Sequence, residues 1–179
     1  TYALLNNAKH IDAVEIDPII SQLGSTRHPD KPYLDPRVTI HTEDARTYLR
    51  YTKNKYDLVE FAFLDPGSTI RASSFLRVDN YVYTTESIRS VLKCLNPNGL
   101  AVILFAPDAD QNITARLHNT IKEASGKAPI TYLDPKPNFV MLFFGPGTAK
   151  VTTVLKDYPN LKNWTIPQEL LDTRTCTDQ

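Results

Sequence analysis

Two acidic side chains at the carboxyl end of the apolar run 11–16 are the strongest candidates for chemistry in this chain. Glu15 is the last residue but one of this run. Asp17 comes immediately after the run and is followed by Pro18. In doubly wound α/β domains, an acid at the end of the second strand hydrogen-bonds a nucleoside ribose, because two carboxylate oxygens match two vicinal hydroxyls. Glu15 therefore predicts a nucleoside cofactor, with a simple charged strand end as the alternative. Asp17 is more simply explained as a helix N-cap.

Asp44 is a second candidate, because it follows the short β-branched run 38–41. One interpretation is that it caps the helix beginning at Ala45. The other is that it accepts a hydrogen bond from the exocyclic amine of an adenine, since a carboxylate only accepts and an amine donates. The spacing leaves both interpretations open.

A third acid, Asp65, ends the apolar run 56–64 and stands where a transferred group would lie in such a fold. Its alternative is a turn aspartate before Pro66. Loops at this edge of a sheet carry function more often than packing, although aromatic residues in them can also serve as anchors. The loop residues that could contact a substrate are Arg71, Arg77, Tyr81 and Tyr83.

Alternating strand and helix patterns must position these acids. Strands are predicted at residues 11–16, 38–41, 56–64 and 100–106, and helices at 18–23, 45–53, 84–95 and 109–124. We expect Gly24 to end the helix at 18–23, residues 96–99 to form a turn, and residues 164–171 to form a short closing helix. The alternation is typical of a parallel sheet with helices on its faces.

The last two predicted strands, 130–133 and 139–144, are joined by a short linker at 134–138. A parallel crossover needs about a dozen residues or more, so these strands should be antiparallel. One reversed strand near the end of an otherwise parallel sheet is typical of the methyltransferase-type nucleoside fold. The nicotinamide type lacks it, which disfavours an oxidoreductase.

The composition excludes several classes of function. The 179 residues carry 20 basic and 20 acidic side chains, so no basic excess favours nucleic acid. The longest apolar stretches, 100–106 and 139–144, are far shorter than the roughly 20 residues of a membrane-spanning helix. Cys94 and Cys176 have no paired spacing, so neither a disulfide framework nor a metal site is expected. The four histidines do not suggest a hydrolase triad.

The chain reads as a piece of a longer protein. A glycine-rich turn should stand about twenty residues before the ribose-binding acid, and the chain instead opens at Thr1 in what reads as a helix tail. We therefore expect the first strand and its glycine loop upstream. Within the chain we expect a nucleoside-binding domain over residues 1–147 and a C-terminal extension over 148–179.

Five segments together resemble the spermidine synthase family, a branch of the class I S-adenosylmethionine-dependent methyltransferases. The segments are residues 14–18 (Val-Glu-Ile-Asp-Pro), 35–38 (Asp-Pro-Arg-Val), 43–46 (Glu-Asp-Ala-Arg), 56–59 (Tyr-Asp-Leu-Val) and 76–84 (Leu-Arg-Val-Asp-Asn-Tyr-Val-Tyr-Thr). The resemblance is greatest to the spermidine-synthase-like domains that bacteria fuse to membrane helices. It implies a cytoplasmic domain, either free or tethered to a membrane outside this segment, and it leaves a homodimer open.

The resemblance also implies roles for individual residues. Glu15 would hold the ribose of S-adenosylmethionine or its decarboxylated form, and Asp44 would hold the adenine amine. Asp17 and Ala45 match the cofactor side, Asp65 the catalytic position, and Arg77, Tyr81 and Tyr83 the side of a small acceptor.

One departure from the family pattern bears on activity. Aminopropyltransferases end the corresponding strand with two aspartates three positions apart, and the matching residues here are Ala62 and Asp65. Without the first carboxylate, deprotonation of a polyamine should lose about 10²- to 10⁴-fold in rate. The sequence therefore predicts a transferase with an unidentified acceptor, and its main alternative is a noncatalytic ligand-sensing or scaffold module.

Overall fold

The structure is a computed structural model, and it describes residues 1–62, 82–107, 111–136 and 138–178. The chain forms two compact units, residues 1–52 and residues 53–179. Each unit has its own sheet, and no strand among the described residues joins one sheet to the other.

The first unit is built around two parallel strands. Its elements are α1 (Tyr2–Leu5), β1 (Ile11–Val14), α2 (Pro18–Arg27), a 3₁₀ turn (Pro32–Leu34), β2 (Val38–His41) and α3 (Ala45–Tyr51). The strands pair in register from Ile11 opposite Val38 to Val14 opposite His41. Their carboxyl ends therefore lie at the same edge, as a parallel pair requires.

Three boundaries predicted for this unit are wrong, and one of them is the end of helix α3, which lies at Tyr51 and not at residue 53. Strand β1 ends at Val14, so Glu15 is the first residue beyond the strand. Helix α2 does not end at Gly24 but continues to Arg27. The glycine serves close packing instead, because a Cβ at Gly24 would collide with the ring of Tyr33.

The second unit contains the larger sheet and most of the buried core. Its elements are β3 (Tyr56–Ala62), α4 (Thr85–Cys94), β4 (Leu95–Phe105), α5 (Asn112–Ser125), β5 (Ile130–Asp134), β6 (Phe139–Phe144), a 3₁₀ turn (Pro146–Lys150), α6 (Val151–Leu155), β7 (Lys162–Asn163) and a 3₁₀ turn (Gln168–Leu170). The strand order is β3-β4-β6-β5-β7, and β3 and β4 are parallel.

The predicted reversal near the end of the sheet is confirmed. Strand β6 lies between β4 and β5 and is antiparallel to both. Strand β5 therefore runs in the direction of β4, and β6 is reversed between them. The short edge strand β7 is also antiparallel to β5, so the sheet has a second reversed strand. This topology gives the chain the Rossmann-like, methyltransferase-type sheet that the short linker predicted.

Three details of the second unit differ from the sequence prediction. Residues 96–99 form an irregular start to β4, where the pairing shifts between Tyr56 and Leu58. Helix α5 begins at Asn112, because Gln111 has a left-handed backbone with φ of 56°. The predicted closing helix is reduced to the turn Gln168–Leu170, because Trp164 follows strand β7 and its N–H donates to the carbonyl of Thr131.

The core of the second unit lies between helices α4 and α5 and the sheet. Ile88, Val91 and Ile121 are completely buried on the helices, as are Ile103 and Leu142 on the strands. Ile88 and Val91 are three residues apart on α4, which places them on one face of that helix. In the described part of the chain, no helix has both the length and the apolar character to cross a bilayer.

Candidate nucleoside site

Glu15 is held at the carboxyl edge of the first unit by its own backbone. Its N–H donates to the carbonyl oxygen of His41 at 3.0 Å, one residue past the end of β1. This hydrogen bond continues the pairing of β1 with β2 for one further step. The backbone of Glu15 is therefore held in place at the strand end, and its side chain is half-buried.

The carboxylate of Glu15 is folded over its own turn. Its Oε1 accepts a hydrogen bond from the backbone N–H of Asp17 at 3.0 Å. Among the described residues, Oε2 accepts no hydrogen bond. An ionised carboxylate has about four acceptor positions, so most of the capacity of Glu15 is left for an outside donor.

Asp17 does what its alternative interpretation predicted. Its Oδ1 accepts from the backbone N–H of Ile19 at 2.7 Å, and Pro18 occupies the first turn of α2. This satisfies one of the free N–H groups at the helix start. The capping role is established by this geometry, whereas a cofactor role for Asp17 stays a prediction.

Asp44 is also a helix cap, at the start of α3. Its Oδ1 accepts from the backbone N–H of Thr47 at 2.8 Å, and Ala45 is the first residue of the helix. The other oxygen, Oδ2, has no partner among the residues that the structure describes. The two interpretations of Asp44 are therefore compatible, because capping uses one oxygen and leaves the other for an amine.

A buried carboxylate that the sequence analysis missed lies below this edge. The side chain of Asp12 is 4 % exposed, and its Oδ1 lies 2.8 Å from Nε2 of His41 and 3.2 Å from Nε2 of His10. The His41 ring also packs against Tyr48, with centroids 4.6 Å apart. The parallel register places Asp12 and His41 on one face of the strand pair, and the sequence carried no local signal for that register.

An ion pair holds the residues that directly precede strand β2. Arg37 donates from Nε and Nη2 to the two carboxylate oxygens of Asp35, at 2.9 and 2.8 Å, and from Nη1 to the carbonyl of Ala8 at 3.3 Å. These side-chain bonds, followed by the bond from the backbone N–H of Arg37, lower the pKa of Asp35 to about 2. The contact ties the segment before β1 to the segment before β2.

The predicted acceptor residues are only partly described. Asp65, Arg71, Arg77 and Tyr81 lie outside the described residues. Tyr83 is described and is 6 % exposed, with its ring 6.4 Å from that of Phe61. Its surroundings fit an anchoring aromatic better than direct contact with an acceptor.

In the described ranges, no group of three or more His, Cys, Asp or Glu side chains is arranged to hold a metal ion. The candidate site is accordingly a set of carboxylate acceptors at the end of two parallel strands.

Residues 3–139 match the spermine/spermidine synthase domain. The chain belongs to the spermine/spermidine synthase family. The matched region takes in nearly all of the first compact unit and part of the second, and it ends at the first residue of β6. Family membership confirms the resemblance drawn from the five sequence segments.

One curated relative is polyamine aminopropyltransferase 1 of Streptomyces coelicolor. It is 27% identical over 168 residues, a region that covers 86% of this chain and 29% of the relative. The chain thus spans less than a third of the length of that aminopropyltransferase.

Solved structures show the same fold. A probable spermidine synthase from Corynebacterium glutamicum has a TM-score of 0.71 at 14% identity, covering 99% of this chain and 67% of the other. A spermidine synthase in complex with the transition-state analogue AdoDATO has a TM-score of 0.59 at 15% identity, covering 91% of this chain and 55% of the other. These similarities support the Rossmann-like fold assigned from the sheet order.

Proposed function

We propose that this chain is an S-adenosyl-nucleoside-dependent transferase domain in which Glu15 and Asp44 hold the nucleoside. The observation that carries the proposal is the pair of carboxylates at the ends of β1 and β2. Each uses one oxygen for a local backbone N–H, and for each the described residues leave the second oxygen for a ligand.

The chemistry of the two acids fits the two polar parts of an adenosine. Ribose hydroxyls and an adenine amine are donors, and ionised carboxylates only accept. Hydrogen bonds to charged groups are about twice as strong as neutral ones, so two such contacts can orient a nucleoside firmly. The relative solved with AdoDATO and the relative named as a polyamine aminopropyltransferase support an S-adenosyl ligand.

S-adenosylmethionine or its decarboxylated form would supply a carbon bonded to a sulfonium sulfur. The nucleophile would form a bond to that carbon while the carbon–sulfur bond breaks and the neutral thioether leaves. Such a displacement depends on alignment of the reacting atoms more than on acid catalysis. An amine acceptor must lose a proton before it attacks, and we assign that proton to Asp65. On the family resemblance, Arg77 and Tyr81 are proposed for contact with the acceptor, and the buried Tyr83 for anchoring that side of the site.

A second candidate function is favoured by Ala62, the last residue of β3. Ala62 stands where aminopropyltransferases have an aspartate. A domain with this change would still bind a nucleoside and would have lost polyamine transfer. In that case the protein would be a ligand-sensing or scaffold module.

Calorimetric titration of the full chain with S-adenosylmethionine, and separately with decarboxylated S-adenosylmethionine, tests the binding step. Glu15→Gln preserves an acceptor for the Asp17 N–H and removes the charge. We expect it to weaken binding by about 10- to 100-fold, the equivalent of a lost charged hydrogen bond. Glu43→Gln is the matched control, since Glu43 is an exposed neighbour of Asp44. Equal affinity for the wild type and Glu15→Gln would overturn the site.

Transfer assays separate the two candidate functions. Putrescine is offered with decarboxylated S-adenosylmethionine, and a panel of amines is offered with S-adenosylmethionine. Turnover that is lost in Asp65→Asn supports the transferase. Binding without turnover on any acceptor supports the noncatalytic module, and Ala62→Asp then tests whether one carboxylate restores aminopropyl transfer.

A further inference from the structure

The C-terminal segment 162–178, called here the C-terminal brace, is bound to the second unit along its length. It begins as β7, which pairs with β5 through Asn163 opposite Tyr132 and Lys162 opposite Leu133. The backbone N–H of Trp164 then donates to the carbonyl of Thr131 at 2.8 Å. The brace thus leaves the far edge of the sheet in a defined direction.

Trp164 holds the residue that starts helix α5. Its indole Nε1–H donates to Oε1 of Gln111 at 2.7 Å. Gln111 is the N-cap of α5, makes no side-chain cap hydrogen bond and has a left-handed backbone with φ of 56° and ψ of 14°. L-residues other than glycine, asparagine and aspartate rarely adopt this conformation. The tryptophan ring also packs in a T-shaped arrangement with the buried His118 ring, and the ring centroids lie 5.9 Å apart.

The middle of the brace is fixed to helix α5 through Asn119 and the buried Thr120. The side-chain amide of Asn119 donates to the carbonyls of Leu171, at 3.1 Å, and Thr173, at 2.9 Å. The backbone N–H of Cys176 donates to Oγ1 of Thr120 at 3.0 Å. One turn of α5 therefore guides the brace toward the neighbouring helix α4.

The end of the brace reaches the first turn of α4. The backbone N–H of Thr85 donates to the carbonyl of Cys176 at 2.9 Å, and the N–H of Asp178 donates to Oε2 of Glu86 at 3.2 Å. Thr85 is the first residue of the helix, and its N–H has no carbonyl partner within the helix itself. The brace supplies that missing acceptor.

Both contacted helix starts belong to the edge of the sheet where ligands bind in this class of fold. Strands β3 and β4 are parallel, and Ala62 pairs with Leu104 near their carboxyl ends. Helix α4 is the next described helix after β3, and α5 follows β4. In open α/β sheets, ligands bind beyond the carboxyl ends of such strands, where the following helices begin.

We propose that the C-terminal brace positions the acceptor edge of the domain, with Trp164 acting through Gln111 on α5 and the Cys176 carbonyl acting through Thr85 on α4. Trp164 is a positioning residue and does not touch the reacting atoms. The acceptor part of this inference rests on the proposed transferase function, whereas the ordering of the two helix starts does not. The nucleoside acids belong to the other compact unit, so nucleoside affinity is expected to be independent of the brace.

The test uses Trp164→Phe in the full chain, which retains an aromatic ring beside His118 and removes the donor to Gln111. Hydrogen exchange by mass spectrometry is measured for peptides covering residues 82–90 and 111–118. We expect local exchange at residues 111–118 to rise by about two- to tenfold, the equivalent of one ordinary hydrogen bond. Tyr158→Phe, an exposed aromatic in the same region, is the matched control and should leave exchange unchanged.

A double-mutant cycle decides whether the two residues act as a pair. Gln111→Ala should reproduce the effect of Trp164→Phe, and the double variant should add little to either single change. Additive effects, or an exchange increase spread evenly over the whole unit, would show that Trp164 only contributes to general stability and would overturn the proposal.

Steady-state kinetics distinguish a positioning role from a purely structural one, because a purely structural role would not change the KM for the acceptor selectively. In Trp164→Phe, the KM for the acceptor should rise by about two- to tenfold with kcat and nucleoside affinity nearly unchanged. An unchanged acceptor KM in an active enzyme overturns the acceptor role. If the wild type turns over no acceptor, the transferase proposal fails by that result, and the exchange data alone uphold or overturn the positioning of the helix starts.

Discussion

The backbone N–H of Glu15 donates to the carbonyl oxygen of His41 at 3.0 Å. The bond carries the pairing of β1 and β2 past the end of β1 and fixes the turn that bears the Glu15 carboxylate. Three residues after His41, Asp44 caps α3. Two acids far apart in the sequence are thereby carried by neighbouring strand ends in one compact unit.

Replacing Asp44 should separate its structural role from its ligand role. Serine is as good an N-cap as aspartate, so Asp44→Ser should leave the free energy of unfolding nearly unchanged. Its short hydroxyl cannot replace the second carboxylate oxygen, and nucleoside affinity should fall by about tenfold or more. Asp44→Ala is the comparison, with an expected stability loss of about 0.5–2 kcal/mol. Calorimetry and urea unfolding measure the two effects, and an Asp44→Ser protein with wild-type affinity would contradict the adenine contact.

Removing the guanidinium of Arg37 should raise the pKa of Asp35. The value of about 2 depends first on the side-chain hydrogen bonds from Arg37, and the backbone N–H of residue 37 remains in Arg37→Met. We expect a partial return toward the ordinary value of about 3.9. Carboxyl NMR titration measures it, with Arg27→Met as the control on the exposed end of α2.

The same ion pair makes stability depend on acid pH. The folded-state pKa of Asp35 lies below its unfolded value, so the stabilisation is present above about pH 4 and is lost as the pH falls toward 2. This dependence should be shallower in Arg37→Met. If the free energy of unfolding of Arg37→Met declines with acid pH as steeply as that of the wild type, other carboxylates cause the decline.

His118 should make the second unit less stable at mildly acidic pH. Burial lowers the pKa of His118, opposed by the hydrogen bond that its ring donates to Oδ1 of Asn119 and reinforced by the charge of Lys122. Because the folded state disfavours the protonated ring, stability is full above about pH 6.5 and declines as the pH falls below it. Urea unfolding at pH 7.5 and 5.5 measures the decline, which should be smaller in His118→Gln. The exposed His28, replaced by Gln, should leave the decline unchanged.

Substitution of Gly99 should destabilise the fold because a side chain has no room there, and not because of the backbone φ angle. A Cβ there would lie 2.7 Å from the carbonyl oxygen of Tyr56 and 2.9 Å from the backbone nitrogen of Asn96. Gly99→Ala should therefore cost about 1–3 kcal/mol through displacement of the β3 and β4 backbones. Gly126→Asn is the contrast, since no atom lies within 4 Å of a Cβ there and asparagine tolerates its φ of 75°. Chemical denaturation of both variants checks the difference, and equal losses would refute the packing explanation.

Local chemistry in the sequence determined much of the fold. Strand β2 at Val38–His41 and strand β6 at Phe139–Phe144 occupy the predicted residues. The antiparallel direction of β5 and β6 followed from the length of their linker alone, because a short linker cannot cross over a sheet. The caps at Asp17 and Asp44 could also be predicted from the sequence, since a cap depends on neighbours two or three residues away.

The sequence also indicated the candidate site before any distance was known. Glu15 and Asp44 follow strands that had to be parallel, so both belonged at one edge of a sheet. Their binding roles, and those of Asp65 and the acceptor residues, stay predictions for the experiments above.

Tertiary structure alone decided which distant residues meet. Asp12 lies against His41, 29 positions away, and Trp164 donates to Gln111, 53 positions away. Gly24 looked like a helix end and instead makes room for the Tyr33 ring. Periodicity and capping describe interactions within a few residues, whereas these contacts depend on strand register and on the path of the C-terminal segment. Register and path are set by how the whole core packs, and no local pattern encodes them.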